Sequence, residues 1–301
     1  MAKSFVDMDF NFFINKSHNI FFKKQGFVIV NLFNKGIIEK LRCVYNNDTP
    51  EINKQSYTSF EINNREARKT IDKKIKTIYN QPLLTVLNDY QPLWGNFMVK
   101  APKAQNMELH ADWSYVDESE FISMNIWAPL QDTNVKNGTL WVVPKSHKIV
   151  KSIRGINLPK YYFKQNELFK KHYGIPVNLK AGQVIFYDHR LVHYSYPNFS
   201  NEKRLAATLI IAQKKAEVFY YWFNSQNNNI EKHLVSDPDF FCSTSFTDSP
   251  QTKPIALIES NTIKDISAKD IKTHLQKRGF IKSQISNYQL SKFQKLVDFP
   301  I

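Results

Sequence analysis

The chain has 301 residues, 42% of them hydrophobic and 14% aromatic; this suffices for a sizeable core and excludes general disorder. Its 41 Lys and Arg against 27 Asp and Glu give a formal net charge of +14, yet the basic residues are scattered through segments such as DKKIKTIY and KTHLQKRGF without an arginine tract, so no specific nucleic-acid surface is expected. Cys43 and Cys242 are the two cysteines, too few for a disulfide framework or a cysteine-built zinc site; with no signal-peptide pattern at the N-terminus and no apolar run of bilayer length, the expectation is a cytoplasmic protein without a transmembrane segment.

In chain order, residues 1–92 read as a largely helical N-terminal part. IEKLRCVYN and ARKTIDKKIKTIYNQPLLTVLND carry apolar residues at three- and four-residue spacing, with Pro82 marking a break or a start. The apolar, β-branched run FVIVNLF reads as a strand. From Leu93 the texture changes to short strand candidates: PLWGNFMVK, MELHADWSY, FISMNIWAPL, TLWVVP, GIPVNL, GQVIFYDHR and RLAATLIIAQ. Asn137-Gly138 and Ala181-Gly182 punctuate them. Many short strands at fairly even spacing predict a mainly β core over residues 93–215, a sandwich or barrel with flanking helices. Beyond Lys264, KDISAKDIKTHLQKRGFIKSQISNYQLSKFQKLV reads as helix with a break at Gly279. Residues 216–301, starting near the YYW run of Tyr220 to Trp222, are expected to form a C-terminal extension that serves as a lid or as the contact of a homo-oligomer. The whole chain, 1–301, is read as a single domain.

Within the strand-rich region, LHADWSY places His110 and Asp112 on one face of an extended chain and Leu109, Ala111 and Trp113 on the other. Taken alone, such a pair is ordinary in a solvent-facing strand. The later segment DHRLVHYSYPNFSNEKR supplies a third candidate ligand, His193. Two imidazoles and one carboxylate on one face of an octahedral metal leave three positions open, the arrangement typical of non-heme Fe(II) oxygenases. A chelating co-substrate needs two of those positions and dioxygen the third. Arg204 begins the next strand, where a guanidinium grips a carboxylate through two parallel hydrogen bonds, a grip that lysine matches poorly. Ser195 lies on the side of His193 and is placed to donate to the same carboxylate. A dicarboxylate held by the metal at one end and Arg204 at the other describes 2-oxoglutarate.

These segments resemble the phytanoyl-CoA dioxygenase family. NGTLWVVPKSHK resembles its Asn-Gly-x-Leu…Pro-Gly-Ser-His-Lys segment, MELHADW its His-x-Asp position, and GQVIFYDHRLVHYSYPNFSNEKR its distal His-x-Ser…Arg stretch. FISMNIWAPLQD resembles the strand between them, and the four motifs run in the family's order from Trp94 to Thr208. The resemblance implies a double-stranded β-helix, a jelly-roll and cupin-like core. It implies Fe(II) on His110, Asp112 and His193, 2-oxoglutarate on Arg204 and Ser195, and Trp127 flanking the co-substrate. Lys145 stands where the family usually has Gly, and Gln183 where it has an acidic residue; both read as turn adjustments. Met98 replaces a frequent polar contact, which leaves the inner end of the co-substrate without an assigned partner.

His147 is expected to stabilise a turn, His189 to serve a surface or turn role, and Asp188 to tie down the turn before His193. Trp94, Asn96, Trp113, Tyr115, Asn125 and Tyr187 divide between core packing and substrate contact, with Tyr187 the foremost substrate candidate. The implied reaction is O2-dependent hydroxylation of an unactivated C–H bond, with 2-oxoglutarate converted to succinate and CO2. Asp112 favours this over halogenation, since halogenases of the superfamily carry a small residue there; desaturation and ring closure stay open. The expected substrate is a small polar or biosynthetic molecule, an amino acid or a carrier-bound or natural-product intermediate, and the positive charge favours an anionic one. The alternatives are an acyl-CoA, a peptide, or a catalytically silent barrel that binds without turning over; a succinate assay separates the last from the rest.

Overall fold

The computed structural model describes residues 11–50, 52, 54–155, 157–158, 163–244, 249–262 and 265–275. Three helices come early, each opened by an asparagine whose side chain accepts from the first free backbone N–H groups. Asn15 caps α1 (Lys16–Gln25), Asn34 caps α2 (Lys35–Asp48) and Asn64 caps α3 (Arg65–Leu84). The sequence reading did not distinguish α1, because Ile20, Phe21 and Phe22 sit side by side instead of at helical spacing. Pro82 neither breaks nor starts a helix; it lies in the last turn of α3, two residues before its end.

Ten strands build two antiparallel sheets. The six-stranded sheet runs in the order β1 (Phe27–Asn31), β8 (Gln183–Asp188), β5 (Ser123–Pro129), β10 (Arg204–Gln213), β3 (Tyr90–Lys100) and β2 (Ser56–Thr58). The four-stranded sheet runs β4 (Met107–His110), β9 (His193–Ser195), β6 (Leu140–Val142) and β7 (Ile175–Pro176). Side-chain alternation decides which residues face which layer. Phe97, Val99, Met124, Ile126, Leu205, Ala207 and Leu209 turn outward onto α2 and α3. The intervening residues, among them Trp127, Ile185, Tyr187 and Ala206, meet Leu140, Val142 and Ile175 of the smaller sheet. On that sheet's outer face, Leu109, Trp141 and Tyr194 pack with Phe169 of α4 (Asn166–His172) and Ile271 of α6 (Ala268–His274). Two facing antiparallel sheets with helices on the outside make the expected jelly-roll core.

Polar ties fix the helical layer to the larger sheet. The Asp72 carboxylate, buried in α3, accepts from the Gly95 backbone N–H at 2.6 Å and pairs with Lys76 at 2.8 Å. The Tyr79 hydroxyl donates to the Ala207 carbonyl at 2.9 Å. The extension contains a third antiparallel sheet, β11 (Phe219–Asn224), β12 (Asn229–Leu234) and β13 (Ala256–Glu259). Tyr220 of the YYW run is buried there, in the cluster that holds Trp94, Tyr115 and Phe241 of α5 (Phe240–Ser243). The helix expected beyond Lys264 is confirmed over Ala268–His274; the break at Gly279 lies outside the described residues.

Candidate active site

His110 and His193 are directly paired across β4 and β9, so the ladder itself brings both imidazoles to the inner face with ring centroids 4.2 Å apart. Asp112 joins them from beyond the strand end. The extended stretch drawn from LHADWSY stops at His110, because Ser114 and Asp112 bond to Arg154 instead of to a neighbouring strand. The Ser114 N–H donates to the Arg154 carbonyl at 3.0 Å, and Arg154 Nε donates to the Asp112 carbonyl at 2.6 Å. Asp112 Oδ1 then stands 3.5 Å from His193 Nε2 and 3.8 Å from His110 Nε2. One ligand atom from each of the three residues falls within 4.8 Å of the others.

The donor chemistry fits a divalent metal. His110 Nδ1 lies 2.7 Å from the Glu108 carbonyl and His193 Nδ1 lies 2.9 Å from the Leu191 carbonyl. A carbonyl only accepts, so each Nδ1 carries the proton and each Nε2 turns its lone pair toward Asp112. Asn125 Nδ2 donates to Asp112 Oδ2 at 3.3 Å, which leaves Oδ1 to the metal side. Burial pushes the Asp112 carboxyl up, but His193, His189 and His110 outweigh it and hold the group below its ordinary range. It stays a carboxylate.

Arg204, 3% exposed, is the first residue of β10, and its guanidinium lies over the Trp127 ring at 5.5 Å. No described acid pairs with it, and its buried Nε has no hydrogen-bond partner. Burial lowers its pKa to about 10, so it stays charged near neutrality. An unpaired buried cation is costly, and an anion at this position would relieve the cost. Ser195 lies nearby with its oxygen accepting from Lys100 Nζ at 2.8 Å, which leaves the hydroxyl proton free to donate. Lys100 is paired in register with Arg204 and is 1% exposed. Burial, with Arg204 second, lowers its pKa to about 7. Arg204 and Lys100 are thus two adjoining buried basic groups with no acid paired to either among the described residues.

Tyr187 stands between these two groups. Its ring lies 4.9 Å from that of His193, and burial, then Asp112, hold its phenol well above its ordinary range against the opposing pull of Arg204. It does not line the open cavity. That cavity, about 360 Å³, begins at His110 and Asp112 and is walled by Trp94, Asn96, Trp113, Tyr115 and Asn125 among others. Five of the six substrate candidates therefore share one chamber, and Tyr187 lies outside it, near His193 and Arg204.

The remaining singled-out residues are structural. Asp188 accepts from the Arg190 backbone N–H at 2.8 Å and from its guanidinium at 2.9 and 2.6 Å, closing the turn that delivers His193. His189 is fully buried, not at the surface; Nδ1 meets Ser123 Oγ at 2.7 Å, and burial lowers its pKa to about 4. His147 Nε2 meets the Lys23 carbonyl at 3.2 Å, and burial lowers its pKa to about 4 as well. Its ring packs against Gly26, whose φ of +85° and lack of Cβ allow that approach. Lys145 adopts φ 69°, the left-handed conformation that glycine takes without strain. The Gln183 side chain accepts from the Lys180 N–H at 2.9 Å and donates to Asn31 at 3.0 Å, a turn role that a neutral amide fills.

Lys100 and Arg154 were not singled out from sequence, nor was Glu118, whose carboxylate pairs with the Arg154 guanidinium. The alternation Trp94, Asn96, Met98 runs on to Lys100 and was the available signal; nothing local marks Arg154.

A family model described as phytanoyl-CoA dioxygenase (PhyH) matches residues 40–206. The chain is 30% identical over 112 residues to a phytanoyl-CoA dioxygenase of Arabidopsis thaliana, a match covering 35% of this chain and 38% of that protein. It is 24% identical over 214 residues to a phytanoyl-CoA dioxygenase domain-containing protein 1 homolog of Dictyostelium discoideum, covering 66% and 73%. Among solved structures, EctD from S. alaskensis, crystallised with 2-oxoglutarate and 5-hydroxyectoine, gives a TM-score of 0.51 at 17% identity over 74% of this chain and 85% of that one. The non-heme alpha ketoglutarate dependent carbocyclase SnoK from nogalamycin biosynthesis gives 0.50 at 18% identity over 72% and 89%. At such identities the structural likeness is one of fold.

Proposed function

The chain belongs to the phytanoyl-CoA dioxygenase family, and from that membership we propose that it is an Fe(II)- and 2-oxoglutarate-dependent dioxygenase that hydroxylates an unactivated C–H bond of a small molecule. The carrying observation is the convergence of His110 Nε2, Asp112 Oδ1 and His193 Nε2 beside the cavity that His110 and Asp112 line. When bound, Fe(II) and 2-oxoglutarate supply oxygen activation coupled to oxidative decarboxylation, with succinate and CO2 as products. His110, Asp112 and His193 would hold the metal, and the Glu108 and Leu191 carbonyls orient the two imidazoles. Arg204, with Ser195 and Lys100, would hold the distal carboxylate of the co-substrate, and Trp127 and Tyr187 exclude water around it. The substrate would enter through the cavity that His110 and Asp112 line.

Iron-dependent succinate formation from 2-oxoglutarate by the purified protein tests the proposal. A protein that releases no succinate with iron, ascorbate, oxygen and a broad substrate panel contradicts it.

Lys100 gives the reading a pH signature. A dicarboxylate beside Lys100 favours the ammonium form, so binding raises a pKa that starts at about 7 and takes up a proton above that value. The affinity for 2-oxoglutarate is therefore full below pH 7 and falls as pH rises, by up to about tenfold per unit until the raised pKa is passed. Calorimetric titration of N-oxalylglycine between pH 7 and 9 is expected to show this slope in the wild type and to lose it in Lys100→Met. Equal slopes in both proteins remove Lys100 from the co-substrate site.

A further inference from the structure

Asp112 carries the one carboxylate of the triad, yet it lies beyond the strand that brings in His110, since β4 ends there. Arg154, 7% exposed, holds its backbone instead. The Arg154 carbonyl accepts from the Ser114 N–H at 3.0 Å, and the Arg154 N–H donates to Ser114 Oγ at 3.2 Å. Arg154 Nε donates to the Asp112 carbonyl at 2.6 Å. Main chain and side chain of one residue thus do over residues 112–114 what a neighbouring strand does elsewhere.

The guanidinium is itself held. Nη1 donates to Glu118 Oε2 at 2.9 Å and to the Ser152 carbonyl at 2.7 Å, and Nη2 pairs with Glu118 Oε1. A planar fork reaches these partners from three nitrogens, where a lysine has one. Glu118 also touches the other arm of the triad. Its carbonyl accepts from Arg190 Nη1 at 3.4 Å, and Asp188 grips that arginine in the turn leading to His193. The supports of two metal ligands therefore meet at one residue.

The loop that carries Arg154 is fastened from the far side by β11. Asn157 Nδ2 donates to the Phe223 carbonyl at 2.8 Å, and Asn157 Oδ1 accepts from the Phe223 N–H at 3.0 Å. A Cβ on Gly155 would stand 2.6 Å from the Tyr221 carbonyl oxygen, so only glycine lets the two backbones come this close. Leu158 packs with Phe219, Tyr221 and Ile230. The fork is fixed at its root as well as at its tip.

We infer that Arg154, locked by Glu118, is a positioning residue that aims the Asp112 carboxylate at the two imidazoles. The inference rests on the reading of His110, Asp112 and His193 as metal ligands. Charge gives it a diagnostic sign. Removing a cation beside the triad while Glu118 stays behind as an anion favours a divalent metal electrostatically, whereas a misplaced carboxylate weakens the metal's hold. A loss of metal affinity without Arg154 therefore reports position and not charge.

Co(II), whose visible absorption follows its ligand geometry, is titrated into the full chain without oxygen and well below the melting temperature. Arg154→Met is expected to weaken Co(II) binding by about 10- to 100-fold, the loss typical when a group that orients a metal ligand is removed, and to alter the spectrum. The double variant Arg154→Met/Glu118→Gln removes the buried ion pair as a unit, a change that is often neutral for stability, and should show the same loss with melting unchanged. Arg154→Lys keeps the charge without the fork and should not restore the affinity. Affinity equal to wild type in the double variant, full affinity in Arg154→Lys, or a loss that merely follows a lower melting temperature overturns the inference. A wild type that binds no Co(II) overturns the metal-site reading along with it, whereas wild type and variants that bind alike overturn the role of Arg154 alone.

Discussion

Asp112→Ala is expected to lower iron-dependent succinate formation by more than about 100-fold, beyond the loss typical of second-layer contacts to a metal ligand. The carboxylate provides the only negative charge among the three converging groups, and two neutral imidazoles hold Fe(II) weakly without it. Asn125 Nδ2 would also lose its acceptor at 3.3 Å. The fold should survive, because the Asp112 side chain is 20% exposed and its backbone carbonyl still receives Arg154. Circular dichroism melting and an iron titration separate the two effects: unchanged melting with lost metal binding is the expected pair. Full succinate formation by Asp112→Ala removes Asp112 from the ligand set.

Arg204→Leu carries the second large effect. Truncating one partner of a buried charged pair costs about 2–5 kcal/mol, so the KM for 2-oxoglutarate is expected to rise by about 30-fold or more. Stability should move the other way. Without a ligand, Arg204 is a buried cation over Trp127 with no described acid, and replacing such a charge by a hydrocarbon is neutral or stabilising. Weaker co-substrate binding together with an equal or higher melting temperature is the signature of a binding residue, since a structural residue would lose both. Arg204→Lys should recover only part of the affinity, because an ammonium cannot make the parallel pair of hydrogen bonds. A 2-oxoglutarate KM unchanged in Arg204→Leu contradicts this assignment.

Much of the core was legible because a strand buried on both faces reads as a short, nearly continuous apolar run. RLAATLIIAQ reads as one strand and is one, with Leu205, Ala207 and Leu209 on the helices and Ala206 on the other sheet. The metal triad was legible for a related reason, since His110 and His193 sit in paired strands. The route to Asp112 was not. Extension through HADWSY is broken by Arg154, a residue 42 positions away, and such a tertiary tie leaves no local mark. Lys100 was hidden by type: a lysine at a strand end reads as solvent-facing, although its parity with Asn96 and Met98 put it indoors. His189, expected in a surface or turn role, does sit in a turn, but buried against Tyr115 and Ser123. The three-stranded sheet from Phe219 to Glu259 escaped because it lies beyond the segments that resemble the family, and β13 in particular carries mostly exposed residues.

An anomalous-scattering map of crystals soaked without oxygen in Fe(II) and 2-oxoglutarate tests the account most directly. A single iron peak within bonding distance of His110 Nε2, an Asp112 carboxylate oxygen and His193 Nε2, with the co-substrate's far carboxylate on Arg204, is the predicted result. Iron bound elsewhere, or a co-substrate that reaches the metal without touching Arg204, contradicts it.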